Sequence, residues 1–301
     1  MNISKYSRYF FILPGILSAV ALVAILMWGF KPGIDLSGGS LLEIKYPSER
    51  PSVEMLHTAV GSLGLGEVRV QPTGDTGYIL RQRDLTDTER QALLKPLRNL
   101  GEMEEVQFTS VGPTLGAELV QKAWIAITLV VICIILFIAF AFRGVSKPVQ
   151  SWKYGIVAII TLLHDILLPL GLFAALGHFF GAEVDALFIV ALLTILGISI
   201  NDTIVVFDRI RENLYLNEEH HKREDFEEVV GRSIMQTLAR SINTSLTVII
   251  VLVSLYFLGP VATQNFALTL IVGMVAGTYS SVFLASPLLV VWERLSTKKK
   301  A

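Results

Sequence analysis

Residues Ala186–Asn213 read ALFIVALLTILGISINDTIVVFDRIREN. The stretch begins as apolar sequence able to cross a bilayer and ends as a charged helix of soluble character. Between those parts, Asn201 and Asp202 sit inside apolar sequence, bracketed by Ile200 and Thr203. A carboxylate near the bilayer centre costs about 2.5–3.5 kcal/mol on insertion scales. A span that keeps one is expected to have a partner for it, a pathway for it, or both. This stretch therefore points to a polytopic membrane protein and nominates its own functional residue.

The rest of the chain has the same two-part character. Of its 301 residues, 52% are hydrophobic and 17% charged, against about 25% charged in soluble domains. The deficit is local. Long runs nearly free of charge alternate with ordinarily polar segments at residues 31–118 and 208–232. Net charge −1 gives a nucleic-acid partner no electrostatic support. The single cysteine, Cys133, lies in an apolar run, so it is read as a packing residue with no intrachain disulfide.

Six transmembrane helices are expected: Tyr9–Phe30, Ala123–Phe142, Trp152–Leu176, Ala186–Phe207, Ser241–Leu258 and about Ala262–Trp292. The first run is too long for a signal-peptide core and lacks a small-x-small cleavage site, so it reads as an uncleaved anchor. Pro14 is placed to tilt or kink it. The last holds Gly273-x-x-x-Gly277, a pattern that permits close helix approach. The stretch 208–239, with Phe226, Val229, Val230, Ile234 and Leu238 at helical spacing, is an amphipathic segment leading into the fifth span.

Lys and Arg near the spans set the orientation. Lys5 and Arg8 precede span one; Arg143, Lys147 and Lys153 lie between two and three; Arg209, Arg211, Lys222, Arg223 and Arg232 lie between four and five; Arg294 and Lys298–Lys300 close the chain. The loops Gly177–Asp185 and Gly259–Pro260 have none. Both termini are therefore expected in the cytoplasm of a bacterial inner-membrane protein. The domain plan is residues 1–30 for the N-terminus and first helix, 31–122 for a periplasmic domain and linker, and 123–301 for the other five helices.

Residues 31–122 read as α+β. Asp35, Gly38 and Gly39 form a turn before a strand at about Ser40–Tyr46, and no Gly-Lys-Ser/Thr follows to make it a phosphate loop. Pro51–Leu63 is helical, with Val53, Leu56, Val60 and Leu63 on one face. Glu67–Gln71 and Tyr78–Arg83 are strands, Thr86–Glu89 is a capping box opening a helix to about Arg98, and Glu104–Ser110 is a last strand. The order βαββαβ is the split unit of ferredoxin-like folds, so an extracytoplasmic ferredoxin-like domain is expected between helices one and two. Val111–Lys122 reads as a linker.

Asp202 lies about five residues from the end of its span, roughly 8 Å deep at 1.5 Å per residue. Arg240 opens the next, antiparallel span and reaches similar depth. Two readings stand for each residue. Asp202 is a proton-responsive group, or a structural carboxylate accepting from Thr203 or Asn243. Arg240 is its partner, or an anchor reaching the headgroups. Asn201 and Asn243 read as interhelical glue. His164 and Asp165 sit near the middle of span three; neighbours about 100° apart cannot share one site, so one is expected to face the bundle, as a relay or a structural hydrogen bond. Asp208, Arg209, Arg211 and Glu212 form a solvated lip. His220 and His221 lack ligand-spaced partners, so no metal is assigned. No Walker motif, nucleophile elbow or paired-aspartate protease context appears, so no catalytic residue is nominated.

The strings Gly33-Ile34-Asp35-Leu36-Ser37-Gly38-Gly39, Val111-Gly112-Pro113, His164-Asp165, Gly197-Ile198-Ser199-Ile200-Asn201-Asp202-Thr203 with Asp208-Arg209-Ile210-Arg211-Glu212, and Arg240-Ser241-Ile242-Asn243-Thr244-Ser245 resemble the bacterial SecD/SecF protein-export family. That family is similar to the proton-driven resistance-nodulation-division transporters. The resemblance covers nearly the whole chain and is with the smaller of the two subunit types. It implies pairing with SecD in a twelve-span unit, work beside the SecYEG channel on exported unfolded polypeptide, and contact with membrane lipid; YajC and YidC are admitted as further partners. It implies no cofactor, the proton gradient being the energy source, and ties Asp202 and Arg240 to proton conduction, with Asn201, Thr203, Asn243, His164 and Asp165 as supporting polar residues. The rival readings are a passive scaffold subunit and a small-molecule efflux subunit.

Overall fold

The computed structural model describes residues 3–61, 63–141, 150–222 and 224–298, with side chains between residues 10 and 296 except Ser151. The side chains of Lys5, Arg8, Arg143, Lys147, Arg223 and Lys298–Lys300, used in the orientation argument, lie outside the described residues. In chain order the elements are α1 (Ile3–Trp28), α2 (Ile34–Ser37), β1 (Gly39–Lys45), α3 (Val53–Gly61), β2 (Arg69–Thr73), β3 (Gly77–Gln82), α4 (Asp87–Arg98), β4 (Glu104–Val111), α5 (Pro113–Ala141), α6 (Ser151–Phe180), α7 (Ala186–Glu219), α8 (Phe226–Leu258), α9 (Val261–Ser280), a π-helical turn (Ser281–Ala285) and α10 (Ser286–Lys298). Two compact units divide them: residues 32–125 with 184–186, and the remainder.

In the smaller unit, four strands pair in the order β2-β3-β1-β4, every pair antiparallel. Alternation explains the central place of β1. Leu42 and Ile44 are fully buried and stand opposite Leu80 and Tyr78 of β3. A one-residue slip would turn that whole set away from the core. The same cluster takes Leu56 and Val60 from α3 and Leu93, Leu94 and Leu97 from α4. The capping box is formed: the Thr86 hydroxyl accepts from the Glu89 N–H, and Glu89 accepts from the Thr86 N–H.

Two expectations for this unit change. The turn before the first strand is a one-turn helix, α2, followed by glycines that are packing positions. Gly38 has φ 76° and Gly39 φ 138°. A Cβ on Gly39 would stand 2.7 Å from the Gln82 carbonyl oxygen, and one on Gly38 would stand 2.8 Å from the Pro113 Cα. The stretch read as a linker is helical: β4 ends at Val111 and α5 starts at Pro113. Proline suits the first helical position, where its missing N–H has no partner to lose.

The larger unit is a helical bundle. Six helices are long and apolar enough to cross a membrane among the described residues, the sixth running Val261–Ser296 through the π turn. Its core joins Ile138 of α5, Tyr154, Val157 and Leu162 of α6, Leu196, Ile200, Phe207 and Ile210 of α7, Phe226, Val230 and Ile234 of α8, and Leu289 of α10. The amphipathic lead-in is not a separate element. It is the first part of α8, its apolar stripe continuous with the span. Gly273 and Gly277 are true contact positions: a Cβ on Gly273 would overlap the Ile195 side chain, and one on Gly277 would lie 3.0 Å from the Ser199 Cβ. The small residues let α9 close on α7 at the level of the polar groups.

Candidate functional site

The polar face of α7 follows helical periodicity. Ser199, Asp202, Thr203 and Val206 are buried, while Asn201 is exposed. Asp202 is 7% exposed. On α8, Ser241 and Ser245 are buried at i, i+4 spacing, whereas Arg240, Asn243 and Thr244 are exposed. Ser245 and Arg240 of α8 are the groups whose electrostatics act on the Asp202 carboxyl. Asp202 and Arg240 are not in ion-pair contact, and the Ser245 hydroxyl is bonded to Thr278. Neither expected structural donor bonds Asp202: Thr203 gives its proton to the Ser199 carbonyl at 3.3 Å, and Asn243 points to the bundle surface. Asp202 is buried on α7, whereas Arg240 is exposed on α8 between the buried Thr237 and Ser241.

His164 and Asp165 are both buried, at 5% and 0% exposure. The expectation that only one would face the bundle fails because helices pack on α6 from several sides. His164 Nδ1 bonds Ser18 Oγ of α1 at 2.7 Å, and its Nε2 bonds the Tyr279 hydroxyl of α9. Asp165 Oδ2 accepts from Ser199 of α7 and from Ser280 of α9, the latter at 2.8 Å. Its Oδ1 has no hydrogen-bond partner.

Three consecutive residues of α9 thus reach two other helices. Thr278 Oγ1 bonds Ser245 of α8 at 2.7 Å, while Tyr279 bonds His164 and Ser280 bonds Asp165, both of α6. Sequence reasoning gave no role to Ser18, Ser199, Ser245, Thr278, Tyr279 or Ser280.

At the charged end of α7, Arg209 donates to Glu212 at 2.5 Å and to Gln236 at 2.6 Å, and Arg211 lies 3.8 Å from Asp208. A cleft of about 280 Å³, lined by Val205, Asp208, Arg209, Gln236, Thr237 and Arg240, opens there. It gives water a way to the Arg240 guanidinium. Among the described residues no three His, Cys, Asp or Glu side chains converge as a metal site requires; His220 and His221 are exposed at a turn.

The arrangement places one buried carboxyl on α7, with an exposed cation of α8 at a polar cleft.

A family model described as "Protein export membrane protein SecD/SecF, C-terminal" matches residues 92–295. The chain is 42% identical to a protein of Thermobaculum terrenum named protein translocase subunit SecF, over 97% of this chain and 94% of that one. It is 36% identical to the protein of the same name from Anaerolinea thermophila, with the same two coverages. Among solved structures it is similar to SecDF, a translocon-associated membrane protein from Thermus thermophilus, with TM-score 0.83 and 32% identity over 98% of this chain. SecDF in a super-membrane-facing form is matched with TM-score 0.70 and 31% identity over the full chain. The chain spans 39% and 40% of the two SecDF chains. With a family model over two-thirds of its length and relatives aligned nearly end to end, the chain belongs to the SecD/SecF family of protein export membrane proteins, on its SecF side.

Proposed function

We propose that the chain is the SecF half of a proton-driven export machine, in which Asp202 is the carboxyl that takes and releases the proton. The observation that carries this is the buried carboxyl of Asp202 in an apolar span, acted on by Arg240 of the next helix, which is itself exposed. Protonation weakens the attraction between Asp202 and Arg240, and α7 and α8 then repack. Each proton crossing 100 mV supplies about 2.3 kcal/mol, which biases a two-state element about 50-fold.

The exposed polar side chains Asn201, Arg240, Asn243 and Thr244 lie on spans that otherwise show apolar surface. Lipid solvates such groups poorly, so this face suits another polytopic subunit. SecD is the partner proposed, since the matched SecDF chains are more than twice as long as this one. The strand order β2-β3-β1-β4 with two helices on one face supports a ferredoxin-like reading of the smaller unit. The charge distribution supports placing it outside the cytoplasm, in the inner membrane's periplasmic space, with both termini inside. SecYEG, and beyond it YajC and YidC, are proposed neighbours, and unfolded exported polypeptide is the proposed cargo.

The test is proton-gradient-dependent release of a translocating protein from membrane vesicles, comparing wild type with Asp202→Asn after equal complex assembly is verified. Loss of gradient stimulation with assembly intact is expected. Normal stimulation would leave the chain as the passive scaffold of the rival reading.

A further inference from the structure

We propose that Asp35 is a positioning residue of the proton-coupled cycle. Its carboxylate holds the first residue of α7, the helix that carries Asp202, to the α2 turn of the smaller unit, and so hands a movement of α7 on to the sheet. The inference rests on the proton-coupled reading above and names the contact through which the smaller unit receives the proton's effect. Asp35 belongs to the string Gly33-Ile34-Asp35-Leu36-Ser37-Gly38-Gly39 and lies outside every span, so its role is read from what it holds.

The first four N–H groups of a helix have no partner inside it. Ala186 opens α7, and its N–H donates to Asp35 Oδ2 at 3.3 Å, across 151 residues of chain. A negative charge is favourable there, at the positive end of the helix dipole. Backbone bonds hold the residues on either side. The Gly33 N–H donates to the Val184 carbonyl at 2.8 Å, and Pro32 and Val184 form an isolated parallel bridge. Residues 184–186 accordingly belong to the smaller unit, while α7 from Leu187 onward belongs to the bundle. The chain passes from one unit to the other within the first turn of α7, at the residue that Asp35 holds.

The turn that carries Asp35 is itself fixed. The Ser37 N–H and hydroxyl both donate to the Gly33 carbonyl, at 3.0 and 2.9 Å, and the Gly38 N–H donates to the Ile34 carbonyl at 2.9 Å. Glycines let it pack without a gap. A Cβ on Gly116 of α5 would stand 2.9 Å from the Gly38 nitrogen and 3.0 Å from the Leu36 carbonyl oxygen. Three segments therefore meet at α2: β1, which follows it directly, the first turn of α5, and the first residue of α7. β1 is an inner strand, paired with both β3 and β4. A displacement of Ala186 reaches that sheet through one carboxylate and one helical turn.

Asp202 follows Ala186 within one unbroken helix, about 24 Å along its axis at 1.5 Å per residue. Rigid elements of this kind carry coupling between distant positions. When α7 repacks against α8, its opening turn moves too, and the Asp35 contact decides whether α2 follows. With the contact made, Ala186 and α2 shift together. Without it, the bridge at Val184 still holds the loop, but the helix start is released and the shift ends there. A merely stabilising Asp35 would have a different signature: its loss would loosen the smaller unit and leave that unit's response to Asp202 as it was.

The first test is a double-mutant comparison by amide hydrogen exchange in the full complex in lipid. Asp202→Asn, which fixes an uncharged side chain, is expected to change protection across residues 33–42 and 184–187 relative to wild type. In an Asp35→Ala background the same substitution should leave that protection unchanged. A response of equal size in both backgrounds overturns the inference, and so does the absence of a response in wild type. The second test is gradient-stimulated release. Asp35→Ala should lower the stimulation about fivefold, the scale of a lost helix cap. Asp35→Asn, whose amide oxygen still accepts, should stay within about twofold of wild type. Ala186→Pro removes the donor and suits the first helical position; it should match Asp35→Ala, and it decides the matter if Asp35→Ala fails to assemble. If Asp35→Ala and Ala186→Pro both keep full stimulation while Asp202→Asn loses it, the role of Asp35 is wrong and the proton reading stands. If Asp202→Asn itself keeps stimulation, the parent reading falls.

Discussion

Asp165 and Asp202 are carboxyls on neighbouring helices of one bundle, yet their surroundings are opposite. Asp165 is sealed inside the chain. It is 0% exposed and held by hydroxyls from two other helices, with no charged partner in contact. Asp202 is 7% exposed, and the groups near it on α7 and α8, Asn201, Arg240 and Asn243, face outward. The sealed carboxyl takes both donors of its Oδ2 from its own chain, while its Oδ1 has no partner among the described residues. The other lies beside polar side chains that face outward, as the proposed pairing with a second subunit requires. On that reading, depth in a membrane does not by itself mark a coupling residue; polar side chains left facing the apolar surround do.

The largest effect expected is at the open carboxyl. Asp202→Asn is isosteric and removes only the titratable charge, so the chain should assemble normally and lose all gradient stimulation in vesicle release assays. Asp165→Ala sharpens the contrast from the other side. It removes the acceptor of Ser199 and Ser280 and leaves a gap between α6, α7 and α9. A loss of about 1–3 kcal/mol is expected for buried groups stripped of a partner, read as a lowered melting temperature in detergent. Asp202→Asn should leave that temperature where it was. Equal destabilisation by both would erase the distinction.

Arg240→Gln comes next in size. The guanidinium is exposed and makes no ion-pair contact among the described residues, so the stability should change by no more than a surface substitution does, about 0.5 kcal/mol. Its role lies in the field at Asp202 and in the outward face. Release should therefore fall while the chain stays folded, and co-purification with SecD should weaken. A strongly destabilised Arg240→Gln would mean that the face is finished within this chain.

Much of this was legible in the sequence, and what was not has a physical reason. The six spans, the strand order of the smaller unit and the Thr86–Glu89 box come from local rules: apolar run length, period-two alternation, and a hydroxyl three residues before a glutamate. Asp202 stood out because charge in an apolar run is costly. Ser245, Thr278 and Ser280 did not, because a hydroxyl in a membrane helix is cheap and satisfies itself on its own backbone. Their contacts appear only when helices far apart in sequence are brought together: Ser280 and Asp165 are 115 residues apart and Thr278 and Ser245 are 33. The π turn was illegible for the same reason. It shifts the register by one residue, so that Ser280, Ser281 and Ser286 are all fully buried, and no single helical period read from the sequence predicts that. The exposure of Arg240 is likewise not decided by spacing alone.

A third carboxyl, on the water side, supplies the reference for the comparison. Glu89 lies near the surface at the start of α4, and the Arg83 hydrogen bond, followed by the N–H and hydroxyl of Thr86, holds its pKa well below the usual glutamate range, at about 2. A carboxyl whose folded value is depressed contributes most above its unfolded value. The contribution fades as pH falls from the ordinary 4.5 through about 2. The opening turn of α4 should accordingly lose exchange protection across that window, and Glu89→Gln should abolish the pH dependence, because an amide cannot change charge. The effect is the smallest of the four, since a solvated charge is screened by water. It is also the one that should be silent in export. On the proposed reading, Asp202 differs from Glu89 in that its protonation changes the field between two packed helices. Glu89→Gln that altered gradient-stimulated release would show that titration at the water surface suffices for coupling, and the weight placed on enclosure at Asp202 would be lost.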